Sequence, residues 1–160
     1  MTVSKTEIDR RMDTFMRACR QRGMKVTHQR MEIFGELAAG AEHPDAESIY
    51  QRVRKRVPVI SRDTVYRTLS MLETHGLVHK VESLFERVRY DANPDRHHHF
   101  VCTVCGLVGD FYSDALDRLP IPESVKRLGR IDMVQVQIRG VCSACVGRKA
   151  KKPRRRVRPT

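Results

Sequence analysis

Apolar residues recur at helical spacing in four stretches of the first half of the chain. Ile8, Met12, Phe15, Met16 and Cys19 share one face of a helix over 6–22, which Gly23 ends. Thr27 is placed to N-cap a second helix carrying Met31, Ile33, Phe34 and Leu37, and Gly40 closes it. Pro44-Asp45 opens a third, with Ala46, Ile49, Tyr50 and Val53, and Pro58 breaks it. Ser61 caps a fourth whose Val65, Leu69 and Leu72 face the core, and Gly76 ends it. Two short strands come next, near Leu77–Val81 and Arg87–Tyr90, around the turn Ser83-Leu84-Phe85-Glu86. Helices followed by a β-hairpin spell a winged helix-turn-helix.

The pattern then changes. Asp91–Arg96 reads as a hinge. Strands are expected near Phe100–Cys102 and Leu107–Phe111, and a helix from Ser113, with Pro120 and Pro122 interrupting the chain beyond it. Met133-Val134-Gln135-Val136-Gln137-Ile138 alternates strictly, as a half-buried strand does. The fold class is therefore α+β. Residues 1–90 read as a winged helix-turn-helix, 91–96 as a hinge, and 97–147 as a small α/β unit. That second domain is small enough to need a metal clip and a dimer interface to supplement its core.

Charge sharpens this picture. The chain of 160 residues carries a formal net charge of +12. Residues 148–160, RKAKKPRRRVRPT, hold 8 basic residues and no acid, and read as a disordered tail with almost nothing to bury. Such a tail suits a polyanion through counterion release, or serves only solubility. Residues 1–90 remain basic without it, with 17 Lys and Arg against 12 Asp and Glu. No apolar run is long enough to span a membrane, and the N-terminus lacks an apolar signal-peptide core, so a soluble cytoplasmic protein is expected.

Cys102-x2-Cys105 and Cys142-x2-Cys145 offer four thiolates to one tetrahedral ion, the ligand set of a structural Zn²⁺. Two disulfides, four free thiols or a redox pair are the alternatives. Gly106, Gly140 and Gly147 lie beside the pairs, as knuckle turns with positive φ require. Cys19 is left over, a small hydrophobe in a helical stripe.

A second donor set holds no sulfur. His97 and His99 alternate on an extended segment and so share a face, while His98 points the other way. Asp91 lies in the hinge, Asp110 ends the strand returning past Cys105, and His43 precedes Pro44 in the first domain. Three His and two Asp suit Fe²⁺, Mn²⁺ or Zn²⁺ rather than Cu⁺. One ion held by His43 and by the other four residues would tie the two domains together, so that metal binding shifts the population toward a DNA-binding shape.

The fourth helix is the candidate recognition helix. Arg62, Thr64, Tyr66 and Arg67 lie in its first turns, with Arg67 expected to reach a base edge and Tyr66 to pack on bases or sugar. Lys25, Gln29 and Arg30, near the start of the second helix, are candidates for phosphate or minor-groove contacts. An enzyme reading finds little support: there is no HExxH, and neither CxxC pair has the His-x-Glu partner of zinc deaminases. A purely architectural DNA-binding protein would instead bind without metal dependence or sequence preference.

Over about residues 10–147 the chain resembles the ferric uptake regulator (Fur) family of metal-dependent repressors. The resemblance rests on Lys25-Val26-Thr27 with Arg30, His43-Pro44 with Ile49-Tyr50, Thr64-Val65-Tyr66-Arg67-Thr68-Leu69, His97-His98-His99-Phe100-Val101-Cys102-x2-Cys105-Gly106, and Cys142-x2-Cys145. It implies a homodimer on a palindromic DNA operator, with residues 1–90 as a winged-helix DNA-binding domain and 97–147 as a metal-binding α/β dimerisation domain, a structural zinc at the four cysteines and a regulatory metal. The resemblance is greatest to the peroxide-sensing branch, whose regulatory set of three His and two Asp matches His43, Asp91, His97, His99 and Asp110. Iron-sensing relatives tend to have Glu where Asp91 stands. In that branch Fe²⁺ with hydrogen peroxide converts a ligating His to 2-oxo-histidine, while Mn²⁺ supports DNA binding and reacts poorly. Carried over, the targets are His43 and His97. The alternative within the family is an iron- or zinc-responsive repressor without peroxide sensing. Some members use a further His late in the second domain; residues 130–141 hold none, so no third site is expected.

Overall fold

A computed structural model describes residues 3–40, 43–81 and 88–147. The expected turn at Ser83–Glu86 and the basic tail lie outside the described residues.

Four helices open the fold: α1 (Lys5–Gln21), α2 (His28–Ala39), α3 (Ala46–Arg54) and α4 (Arg62–Thr74). Each starts on a side-chain cap. Ser4, Thr27, Asp45 and Ser61 accept from the backbone N–H of Glu7, Arg30, Ser48 and Thr64 respectively. Such a cap satisfies a donor that the first turn leaves unpaired and stabilises by about 1 kcal/mol. The apolar stripes converge on one core. Phe15 stacks on Phe34 with ring centroids 4.4 Å apart, and Ile33, Leu37, Ile49, Val53, Val65, Leu69 and Leu72 are buried around them with Cys19.

The helix-to-strand transition differs slightly from expectation. Leu77 donates its N–H to Leu72 O at 2.9 Å, and Gly76, at φ 63°, donates to Glu73 O. Leu77 and Val78 thus still close the helix, and β1 spans His79–Val81. β2 spans Arg89–Asp91 and pairs antiparallel with β1, with His79 opposite Asp91. Asp91 therefore ends a strand instead of opening a loop.

A second sheet has the order β4-β3-β5. β3 (His98–Cys102) pairs antiparallel with β4 (Val108–Phe111) and parallel with β5 (Gln137–Gly140). The parallel crossover carries the short α5 (Asp114–Asp117), capped by Ser113, and α6 (Glu123–Lys126), which follows Pro122; α7 (Ser143–Val146) comes after β5. The strand expected over 133–138 is displaced. Only Gln137 and Ile138 of that stretch lie in β5, and Met133 and Ile138 are exposed. Alternation marks the two faces of an extended segment, but the start of pairing is set by β3, through His99↔Gln137. Buried apolar side chains described here are few: Val101 and Val108, which pack with Val81 of β1, and in another cluster Cys102, Cys142 and Cys145.

The architecture is α+β, a winged helix-turn-helix followed by a small α/β unit. Among the described residues no helix is long and apolar enough to cross a membrane.

Candidate metal centres and nucleic-acid surface

The two CxxC pairs meet through two knuckles. In the first, Cys102 N donates to Leu107 O and Gly106 N to Cys102 O, with Gly106 at φ 71°. In the second, the Cys145 and Val146 N–H groups fold back on Cys142 O. Thr103 joins them, donating its N–H to Gly140 O at 2.7 Å and its hydroxyl to the same oxygen at 3.1 Å. Only Gly106 needs positive φ. Gly147 has φ −83°, and Gly140 matters for space, since a Cβ there would sit 3.0 Å from the Phe100 ring.

All four Sγ atoms lie within 4.8 Å of one another. Cys105 Sγ and Cys142 Sγ are 3.7 Å apart. That is far beyond the ~2.05 Å of a disulfide. It matches the separation of about 3.8 Å between two sulfurs on a tetrahedral ion at ~2.3 Å. Backbone N–H groups of Val104 and Cys142 point at Cys102 Sγ, at 3.5 and 3.3 Å. Backbone donors from Cys105 and Cys142 lower the Cys102 thiol to about 6. The neighbouring Cys142 and Cys105 sulfurs push Cys145 up to about 12. Crowded thiols of this kind accommodate a cation that takes their charge, so the donor set fits a structural Zn²⁺.

The second cluster draws on more distant parts of the chain. Tyr90 N donates to Pro44 O at 3.1 Å, and Arg89 Nη1 donates to His43 O at 3.0 Å, so the segment before α3 is fastened to β2. His43 thereby arrives beside Asp91 with a φ of 42°. A left-handed residue before proline is doubly disfavoured and stores of order 1–3 kcal/mol. β3 and the residue before it supply His99 and His97, and β4 supplies Asp110, which pairs with His99 across the sheet.

The imidazoles present Nε2 to a common centre. His97 Nε2 is 2.8 Å from Asp91 Oδ2 and 3.1 Å from His99 Nε2, and His43 Nε2 is 2.9 Å from Asp110 Oδ1. His99 Nε2 is 3.6 Å from Asp91 Oδ2 and 3.5 Å from Asp110 Oδ1. Ligand atoms around one ion at ~2.1 Å sit about 3 Å apart when adjacent. The ligand atoms of His43, Asp91, His97 and His99 fall within 4.8 Å of each other; Asp110 joins through its contacts with the imidazoles. Despite these separations, buried His43 Nε2, Asp91 Oδ2 and Asp110 Oδ1 lack a hydrogen bond of acceptable geometry. Polar atoms that converge without pairing are costly unless a cation occupies the point of convergence, so this donor set also fits a metal ion. Burial disfavours charge on His43, yet Asp110 and Asp91 hold its imidazolium at about 9. Against the cost of burial, His43, His97 and His99 hold Asp91 well below the usual carboxylate range.

The outer contacts orient these ligands. His97 Nδ1 lies 2.6 Å from Asp95 O; a proton on Nδ1 leaves the Nε2 lone pair for the centre. His98 is fully buried on the other face, with Nδ1 accepting from Val136 N at 3.2 Å and Nε2 3.3 Å from Asp117 Oδ1. Asn93, absent from the candidates that the sequence suggests, is 3% exposed and hydrogen-bonds to both carboxylates. Its Asp-x-Asn spacing after a strand is the one local signal that could have marked it.

Elsewhere on the surface, Thr27, Gln29, Arg30, Thr64, Arg67, Thr68 and Met71 line a hollow of about 410 Å³ between the starts of α2 and α4. Arg67 is exposed, with Asp63 3.6 Å away. Tyr66 is half exposed, and Lys25 is exposed. Arg30 donates to Lys25 O at 2.6 Å, and Thr64 shares a hydroxyl hydrogen bond with Ser61. Arg62 is differently engaged: it makes a two-pronged ion pair to Glu47, at 3.0 and 2.9 Å, and lies 4.5 Å over the Tyr50 ring. That arrangement braces α4 against α3.

The family model described as the ferric uptake regulator family matches residues 21–138. The chain belongs to the ferric uptake regulator family. It is 29% identical over 147 residues to the peroxide-responsive repressor PerR of Staphylococcus epidermidis, covering 91% of this chain and 97% of that one. Among solved structures it resembles a zinc-bound manganese uptake regulator, with 31% identity and TM-score 0.62 over 79% of this chain and 97% of that one. It also resembles the Campylobacter jejuni peroxide stress regulator, with 27% identity and TM-score 0.63 over 81% and 98%. Members of the family are metal-responsive, DNA-binding, dimeric repressors, which places this chain among transcription regulators.

Proposed function

We propose that this repressor senses hydrogen peroxide at its His and Asp cluster. The observation that carries the reading is the convergence of His43, from the segment before α3, with Asp91, His97, His99 and Asp110 on the winged hairpin and the second sheet. The five side chains would hold Fe²⁺ or Mn²⁺, and the four cysteines Zn²⁺. Residues 1–90 would form the DNA-binding domain, 91–96 the hinge and 97–147 the dimerisation domain. With the regulatory site complete, His43 keeps the segment before α3 against β2 and β4, and so sets where α4 lies relative to its copy in the dimer. Lys25, Arg30, Thr64, Tyr66 and Arg67 would then meet the two halves of a palindromic duplex, with Arg62 near the backbone while it braces α4. Exposed Met133, Ile138 and Val141 are apolar groups that a second copy would cover.

Ferrous iron in this site supplies one-electron chemistry with hydrogen peroxide. A ring carbon of His43 or His97 would gain one oxygen atom from the peroxide, a net two-electron oxidation of the imidazole, and the peroxide's other oxygen would leave as water. An oxygenated ring no longer presents the same Nε2 lone pair; the set loses a ligand, and His43 no longer holds the segment before α3 in place. The 29% identity to a peroxide-responsive repressor and the paired aspartates support this reading. The likeness to a manganese uptake regulator supports a second one, a sensor of metal level alone.

Peptide mass spectrometry separates them. The protein is loaded with Fe²⁺ or Mn²⁺ and treated with hydrogen peroxide. One added oxygen on the His43 and His97 peptides, with iron only, is expected. Unmodified histidines with intact metal-dependent DNA binding would leave the metal-level reading.

A further inference from the structure

We propose that Asn93 is the positioning residue that gives the regulatory site its coordination geometry, by holding one oxygen of each aspartate so that the other is offered to the metal. The inference rests on the reading that this cluster holds a metal ion.

The division of labour is visible atom by atom. Asn93 N donates to Asp91 Oδ1 at 2.8 Å, and Asn93 Nδ2 donates to Asp110 Oδ2 at 3.0 Å. The oxygens left over, Asp91 Oδ2 and Asp110 Oδ1, are the ones that face the imidazoles and lack a hydrogen bond. One residue thus selects the presented oxygen on two carboxylates from different strands, β2 and β4. Each aspartate is thereby confined to one ligand atom, which leaves five donors from the chain, three nitrogens and two oxygens.

Asn93 is itself fixed. Its Oδ1 accepts from Asp95 N at 3.2 Å, and its Nδ2 also donates to Tyr112 Oη at 2.9 Å. Asp95 in turn takes the His97 Nδ1 contact on its carbonyl, and its carboxylate receives Arg10 Nη2 of α1 at 2.5 Å. The loop from Asp91 to His97 is therefore organised around one buried amide, and neither a hydroxyl nor an aliphatic side chain of similar size can both donate twice and accept once as this amide does. Outer contacts of this kind typically change metal affinity by 10–100-fold when removed.

Substitution at 93 leaves the backbone N–H to Asp91 in place, so the larger part of the loss should fall on Asp110, with a smaller part reaching His97 through Asp95. The test is a double-mutant cycle on the full-length, zinc-loaded protein, with Mn²⁺ titrations followed by electron paramagnetic resonance. Asn93→Leu is expected to raise the Mn²⁺ dissociation constant by about 10–100-fold and to broaden the bound-Mn²⁺ spectrum. In an Asp110→Ala background the same substitution should raise it by no more than about threefold, because its main target is gone. Zinc content and folding without Mn²⁺ should be kept; Asn93→Ala, which adds no bulk, replaces Asn93→Leu if the latter does not fold. Unchanged affinity and spectrum in the single variant, or equal losses in both backgrounds, would overturn the role of Asn93. A parent protein that binds no Mn²⁺ would overturn the metal site, and this inference with it.

Discussion

Cys102→Ser removes one of four sulfurs from the cluster that joins the start of the second sheet to α7. The fully buried aliphatic side chains that this half contributes are Val101 and Val108, packed with Val81 of β1. Full burial of a valine stabilises by about 1.5–3 kcal/mol, so the three together contribute less than roughly 10 kcal/mol before any ordering cost. A structural zinc contributes about 10–16 kcal/mol of apparent binding energy, which here is folding energy. The metal therefore outweighs the apolar core of the half it holds. The helical half has its own core of 18 buried residues, from Phe15 to Ala92, in a cluster separate from that of Cys102, Cys142 and Cys145. The expected phenotype is divided: loss of zinc by elemental analysis, rapid proteolysis after about residue 95, and retained helical circular dichroism from α1–α4. A strong chelator applied to the parent protein should give the same result. A Cys102→Ser protein that keeps one zinc per chain, or resists protease without it, would show that the stability of this half resides in other interactions.

Two further outcomes are expected from the geometry. Arg67→Ala should weaken binding to a selected palindromic duplex by about 1–3 kcal/mol in fluorescence anisotropy, as for a lost two-pronged base contact; its exposed partner Asp63 makes the ion pair cheap to break. An equal loss on scrambled duplex would make Arg67 a phosphate contact. His43→Ala should abolish metal-dependent DNA binding while the fold survives, and His43→Asn should do the same with less destabilisation, because Asn tolerates the left-handed φ at a saving of about 1 kcal/mol; metal dependence that persists in both, measured by DNA binding with and without Mn²⁺, would detach the segment before α3 from the site.

The features legible in the sequence are those that short-range physics decides. Ser61 and Thr27 advertise helix starts because a hydroxyl three residues ahead of a free N–H is a local event. The CxxC pairs and His97-x-His99 are legible for the same reason, since turn and strand geometry fix which way neighbouring side chains point. The remainder depends on partners far along the chain. The start of β5 is chosen by hydrogen bonding to β3 and is invisible in the alternation of Met133–Ile138. Arg62 reads as a free cation until Glu47 and Tyr50 are placed beside it. Gly140 reads as a turn glycine, although its missing side chain makes room for Phe100. Asn93 carries almost no pattern of its own, and its meaning appears only when Asp110 is brought back by β4.

The two cysteine pairs also impose an order of events. Cys102 and Cys142 are forty residues apart, and β5 can join β3 only after the crossover between them exists. The contacts of α1–α4 are short in sequence and can form while a ribosome is still making the rest. The second sheet cannot close until the second pair of cysteines has emerged, so zinc capture is a late step in synthesis. A nascent chain waiting at that point would expose the edge of β3 that β5 later covers, in a cell where metal is scarce. Zinc supply would then govern how much repressor survives to fold, even though the five regulatory ligands, the last of them Asp110, have already been made.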